Sequence, residues 1–209
     1  MRKSTYPESP HIWPQRTGDM TDKASPDELQ QLLAPTGEVI VGHDHIEIRD
    51  YLFEPSIAFT RTTFPAAEIA DLDLTAHPPT MRIDRELIFL TAEKKAELEA
   101  FALRNHVPTV TREPVWDWIL EPFLDTEFTR DNEARLERLL AVHGLDPGIV
   151  GEIRKEVEVQ MIKYNFDTML WAWTGLGACD VLRAMRTAYD RDVFRVFYRR
   201  VMAIALAGG

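Results

Sequence analysis

The spacing of apolar residues changes twice along this chain and divides it into three parts. Residues 1–24 have no apolar period. They carry Pro7, Pro10 and Pro14 among Ser, Thr and charged residues, a composition that predicts an extended or mobile arm with Trp13 as its anchor. Ser25-Pro26-Asp27-Glu28 then reads as a helix start, with Ser25 as cap, Pro26 at the first helical position and Glu28 completing a capping box. The short helix stops near Pro35 and Gly37. Between Glu38 and Leu90 the period falls to two, predicting strands over 39–41, 45–49, 57–64, 69–75, 81–84 and 87–91. Ile57, Phe59 and Thr63 alternate with polar neighbours, and Asp84-Arg85-Glu86 reads as a tight turn. Thr91 then caps a helix over 92–106, whose inward stripe is Leu98, Phe101, Ala102 and Leu103.

After a connector over 108–114 the period is helical to the end. Pro122 stops a first helix over 115–121. Thr129 caps a second that ends at His143 and Gly144, and Asp146-Pro147 starts a third. Gly175 and Gly177 separate the third from a fourth over 178–189, and a fifth spans 190–207. The expected architecture is α+β: a small antiparallel sheet with a closing helix, followed by an α-helical bundle. The expected divisions are 1–24 (arm), 25–107 (small α+β domain) and 108–209 (helical domain).

Charge narrows the possible partners. A net charge of -10 argues against general nucleic-acid binding, which needs cations to displace counterions from phosphates. It argues equally against docking on an anionic membrane. Cys179 is the single cysteine, so no intrachain disulfide forms and no oxidising compartment is implied. No apolar run follows the charged start, and the apolar stretch 169–182 is short for a membrane span and contains Asp180. A cytoplasmic location is expected.

Three segments resemble an uncharacterised family of bacterial proteins. They are the run Leu120-Glu121-Pro122-Phe123-Leu124-Asp125-Thr126-Glu127-Phe128, the run Tyr164-Asn165-Phe166-Asp167-Thr168, and the block Trp171-x-Trp173 with Gly175-Leu176-Gly177 and Asp180-Val181-Leu182. The resemblance covers the later sheet region and most of the helical region. It implies a cytoplasmic bacterial-type protein and brings no activity, cofactor or catalytic residue.

The first run is the place to look for chemistry, because carboxylates beside large apolar residues need partners. Glu121, Asp125 and Glu127, joined by Asp167 or Asp180 from packed helices, are candidate ligands for a divalent metal. The plainer reading is that Asp125 and Glu127 cap helix ends and Glu121 pairs with an arginine. Tyr164, Asn165 and Asp167 form a second polar cluster, which lines a ligand pocket walled by Trp171 and Trp173 or serves as a buried network fixing helix register. His43 and His45 share a strand face, yet Ile46 and Ile48 define the inward one, so the histidines face solvent with no third ligand. Gly175-x-Gly177 lacks the strand and the third glycine of a dinucleotide site. Cys179 reads as a small core residue. Arg183, Arg186, Arg191, Arg195, Arg199 and Arg200 form a basic strip that grips a phosphate or pairs with acids elsewhere on the chain.

No nucleophile–base pair, phosphate loop or full ligand set stands out. The expected function is therefore a non-catalytic binding or regulatory protein for a small molecule or protein partner, without a required cofactor. The alternatives are a metal-dependent, hydrolase-like enzyme using the helical carboxylates, and a structural subunit that forms a homodimer.

Overall fold

A computed structural model describes residues 25–124, 129–168 and 175–209, with the backbone alone for 166–168. The expected arm over 1–24 lies outside the described residues. The architecture is α+β, with two small antiparallel sheets where one was expected.

The first helix, α1 (Pro26–Leu32), begins as its sequence directs, with the Glu28 amide donating to Ser25 Oγ at 3.2 Å. The Glu28 carboxylate goes to Lys163 at 2.7 Å, which docks α1 on the third bundle helix. The first sheet runs in order β1 (Glu38–Val41), β2 (His45–Arg49), β3 (Thr63–Pro65), with Val39, Ile46, Ile48 and Phe64 buried. Only the end of the stretch 57–64 is strand. Ile57–Thr60 is a short helix, α2, because Ser56 Oγ accepts the Ala58 amide and the Glu86 carboxylate accepts the Ile57 amide. Two side-chain caps override the alternation, and Phe59 ends half exposed while Phe64 fills the core.

The second sheet is ordered β4 (Asp71–Asp73), β5 (Thr80–Ile83), β6 (Glu86–Phe89), and Asp84, at φ 49°, makes the tight turn between the last two strands. A 3-10 turn precedes α3 (Lys95–Asn105), which buries Leu98, Phe101 and Ala102 but leaves Leu103 82% exposed. The inward stripe is thus one residue narrower than expected. Arg104 and Asn105 hold α3 to the Gly42 and His43 carbonyls of the β1–β2 turn.

The bundle follows its caps closely. It comprises α4 (Val115–Leu120), α5 (Arg130–Val142), α6 (Pro147–Thr168), α7 (Ala178–Arg186) and α8 (Arg191–Leu206). Thr129, Asp146 and Asp190 accept amides of the following first turns. Gly144, at φ 76°, leaves α5 in a conformation that favours glycine. One apolar core runs from the sheets into the bundle, joining Phe53 and Phe89 to Tyr198 of α8. None of the described helices is long and apolar enough to cross a membrane.

The end of α8 is tied back to the connector. Trp116 Nε1 donates to the Val201 carbonyl at 3.0 Å, and the Glu113 amide donates to the Gly208 carbonyl at 2.8 Å. A Cβ at Gly208 would overlap the Glu113 carbonyl oxygen and touch Val115. Gly208→Ala is expected to cost about 1–3 kcal/mol, as overpacking does, read as a lower urea midpoint with unchanged slope. An unaltered midpoint would show that the segment after α8 is free to move aside.

Candidate functional site

Strand β4 determines where the polar groups gather. Leu72 points into the core, so Asp71 and Asp73 share the opposite face, and both are buried. The connector 108–114 runs beside β4, with the Leu72 amide bonded to the Pro108 carbonyl and the Val110 amide to the Leu72 carbonyl, each at 2.9 Å. That register brings Arg112 opposite the two acids. Asp71 accepts from Arg82 at 2.6 Å and from Arg112 at 2.5 Å. Asp73 takes the Thr75 amide and hydroxyl and the Ala76 amide on one oxygen, and the Arg112 amide on the other. Burial alone would raise the Asp73 carboxyl, but these donors outweigh it and hold the group below its usual range.

The Arg112 side chain is 10% exposed. Its Nη2 serves Asp71, while Nη1 is buried with no hydrogen-bond partner. A buried donor left unmade is costly and uncommon in native proteins. Arg112 lines a cavity of about 370 Å³, together with Thr75, His77, Thr111, Asp117 and Gly177. That volume falls in the range of small-molecule sites.

Asp117 lies in the first turn of α4, at the mouth of this cavity. Its carboxylate oxygens stand 3.2 Å from the positions that Cβ atoms would take on Gly175 and Gly177, so a side chain at either glycine would crowd the carboxylate and shift it by a few tenths of an ångström. Crowding by the protein, and then the charge of Asp180, push the Asp117 carboxyl up to about 6. Among the described residues no cation pairs with it. Asp180 lies behind Gly177 in the first turn of α7. It accepts the Gly177 amide and the Tyr164 hydroxyl, each at 2.8 Å. Burial pushes the Asp180 carboxyl up despite these donors. Burial and the neighbouring Asp180 also push the Tyr164 phenol up, which keeps it a donor.

A second, shallower cavity of about 630 Å³ lies between β1 and α7, lined by Tyr164, Asp180 and Arg183. Both cavities reach Pro78 and Cys179. The Cys179 thiol is buried, and burial pushes it up to about 12, so it stays protonated and shielded between them.

The residues singled out in the sequence separate. Tyr164 joins the Asp180 side of the site. Asn165 is buried and donates to the Phe123 carbonyl at 2.9 Å, tying α6 to the turn after α4. Glu121 pairs with Arg135 at 3.3 Å. Asp125, Glu127, Trp171, Trp173 and the Asp167 side chain lie outside the described residues. Among the described residues no group of three or more His, Cys, Asp or Glu could hold a metal ion. His45 bonds Asp44 at 2.9 Å on the solvent side of β2. Much of the arginine strip is engaged within the chain: Arg191 and Arg195 meet on Glu54, Arg200 pairs with Glu156, and Arg183 and Arg186 donate to the last carbonyls of α1.

Arg112, Asp117 and Asp73 carry the cavity, and sequence reasoning passed over all three. The available signal was the pair of acids flanking Leu72, an unusual placement in a three-residue strand.

Fold and site together define an α+β protein with a small polar cavity between its second sheet and the α7 start. No protein-family model matches the chain, and no curated protein or solved structure matches it.

Proposed function

We propose that this is a non-catalytic protein that binds a small polar molecule in the 370 Å³ cavity. The observation that carries the reading is the cavity itself, whose lining brings Thr111, Arg112, His77 and Asp117 around one space. The cavity is small enough to enclose a metabolite-sized molecule and carries hydroxyl, guanidinium and carboxylate groups to orient it. Binding is favoured over catalysis because the nearby thiol is shielded and protonated.

A thermal-shift panel of amino acids, amines, carboxylates, sugars and nucleosides tests this, since a ligand that binds only the native state raises its Tm. A subset is expected to raise the Tm of the wild type by about 3 °C or more, the size of a binding energy of about 1–2 kcal/mol in a chain of this length. Ala76→Phe, which fills the cavity from its lining, is expected to fold and to lose the shift. A panel without any shift, or one that shifts both proteins equally, would overturn the reading.

A further inference from the structure

Two carboxylates converge on Gly177. Asp117 Oδ1 and Asp180 Oδ2 stand 3.2 and 3.9 Å from one point, the place that a Cβ on Gly177 would take. The third neighbour of that point is the His77 carbonyl oxygen at 3.9 Å, which adds no positive charge. Asp117 Oδ2 stands 3.2 Å from the matching point on Gly175. The Asp117 carboxyl group therefore rests on bare backbone on both sides of Leu176, which is buried.

The two acids are held differently. Asp180 is fixed from two helices, accepting the Gly177 amide at the start of α7 and the Tyr164 hydroxyl from α6, each at 2.8 Å. Asp117 belongs to an exposed residue, and among the described residues no cation pairs with it. The cavity lining passes from Val115, Trp116 and Asp117 to Gly177, Ala178 and Cys179, so the seam between α4 and α7 is part of the cavity wall.

We propose that Asp117 is a proton-operated latch on this seam: neutral, it lies against Gly175 and Gly177 and closes the wall, and ionised, it is driven by Asp180 into solvent and the wall opens. This adds a control to the binding reading above and rests on that reading for its purpose, while the movement itself needs no ligand. Like charges repel most where water is scarce. Asp180 is tied down and Asp117 is not, so Asp117 gives way. Crowding by the protein, and then the Asp180 charge, push the Asp117 carboxyl up to about 6, which puts the change between pH 5 and pH 7.5. The other titratable or charged groups around the pair are Asp73, His77, Arg112 and Glu113 on the first cavity and Tyr164, Cys179 and Arg183 beside Asp180. Glu38, Glu93, Lys94 and Glu97 line the second cavity with Asp180.

The test is amide hydrogen exchange on the full-length chain without ligand, followed by NMR at pH 5 and pH 7.5 and corrected for the intrinsic rate at each pH. Protection of the Gly177 amide is expected to be at least about fivefold lower at pH 7.5. Amides inside α5, away from the seam, serve as the reference and should keep theirs. Asp117→Asn, neutral and of the same shape, should hold the pH 5 protection at both pH values. In the wild type, a carbon-13 titration of the Asp117 carboxyl should have its midpoint near 6 and coincide with the loss of protection. Equal protection at both pH values would overturn the latch. So would a pH dependence that survives in Asp117→Asn, which would assign it to another group such as His77. A carboxyl midpoint near the ordinary 3.8 would overturn it without any variant. None of these failures touches the binding reading, which stands or falls on the thermal-shift panel.

Discussion

Asp71→Ala is expected to lower the free energy of unfolding by about 3–5 kcal/mol, the cost of removing one partner from a buried ion pair. Asp71 is the shared acceptor of Arg82 and Arg112, and its side chain is only 5% exposed. Without it the Arg112 guanidinium loses its one side-chain acceptor among the described residues while already carrying an unpartnered nitrogen. The measurement is urea denaturation at neutral pH. The same substitution in an Arg112→Met background should cost less, since the charge it strands is gone. Glu121→Ala, at the more exposed pair with Arg135, should change stability by no more than about 1 kcal/mol. A loss at Asp71 as small as that at Glu121 would mean that this network does not organise the cavity wall.

Asp117→Asn is expected to do the opposite and raise stability at pH 7.5. The native carboxyl binds its proton up to about 6, whereas an unfolded chain releases it near the ordinary value of 3.8. Between those values the native state holds more protons, so stability falls as pH rises through the window and stays reduced above it. Asparagine removes the ionisation. The variant should gain about 1 kcal/mol at pH 7.5, a figure held low because the carboxylate is open to solvent at the cavity mouth. That corresponds to about 2–4 °C in Tm for a chain of this size. The gain should fade as the pH drops well below 3.8, where the carboxyl is protonated in both the folded and the unfolded chain. A lower Tm for the variant at pH 7.5 would show that the ionised carboxylate is well paired in the native state. A gain in stability with a loss of ligand affinity is the signature of a group kept for binding.

The helical half was legible because its signals are local. Thr129, Asp146-Pro147 and Asp190 cap α5, α6 and α8 within a residue of the expected starts, and Gly144 ends α5. Each cap is settled between a side chain and an amide a few residues away. The sheet half was less legible. The stretch 57–64 has strand alternation, but Glu86, about thirty residues downstream, supplies an acceptor for the Ile57 amide and α2 forms instead. The same distant acid accepts from Ser56 and Tyr198. Nothing in the local pattern announces a partner so remote.

The site shows the same contrast. Tyr164 was singled out as an unusual polar residue in an apolar helix, and it does face Asp180. Asn165, from the same reasoning, fixes α6 against the Phe123 carbonyl instead. The acids of the 120–128 segment drew attention by their density, while the cavity was built by acids that looked ordinary. Asp117 gains its raised proton affinity from Gly175, Gly177 and Asp180, all about sixty residues away along the chain.

By itself the sequence determined where α1, α5, α6 and α8 begin, the α+β order of elements and the net negative charge, because caps, periodicity and charge are properties of neighbouring residues. The tertiary structure alone decided that the strands split into two sheets and that Arg112 would be buried beside Asp71 with a nitrogen to spare. It also decided that Asp117 and Asp180 would meet across a glycine. Those outcomes depend on which distant groups share a low-dielectric space, and no local pattern carries that information.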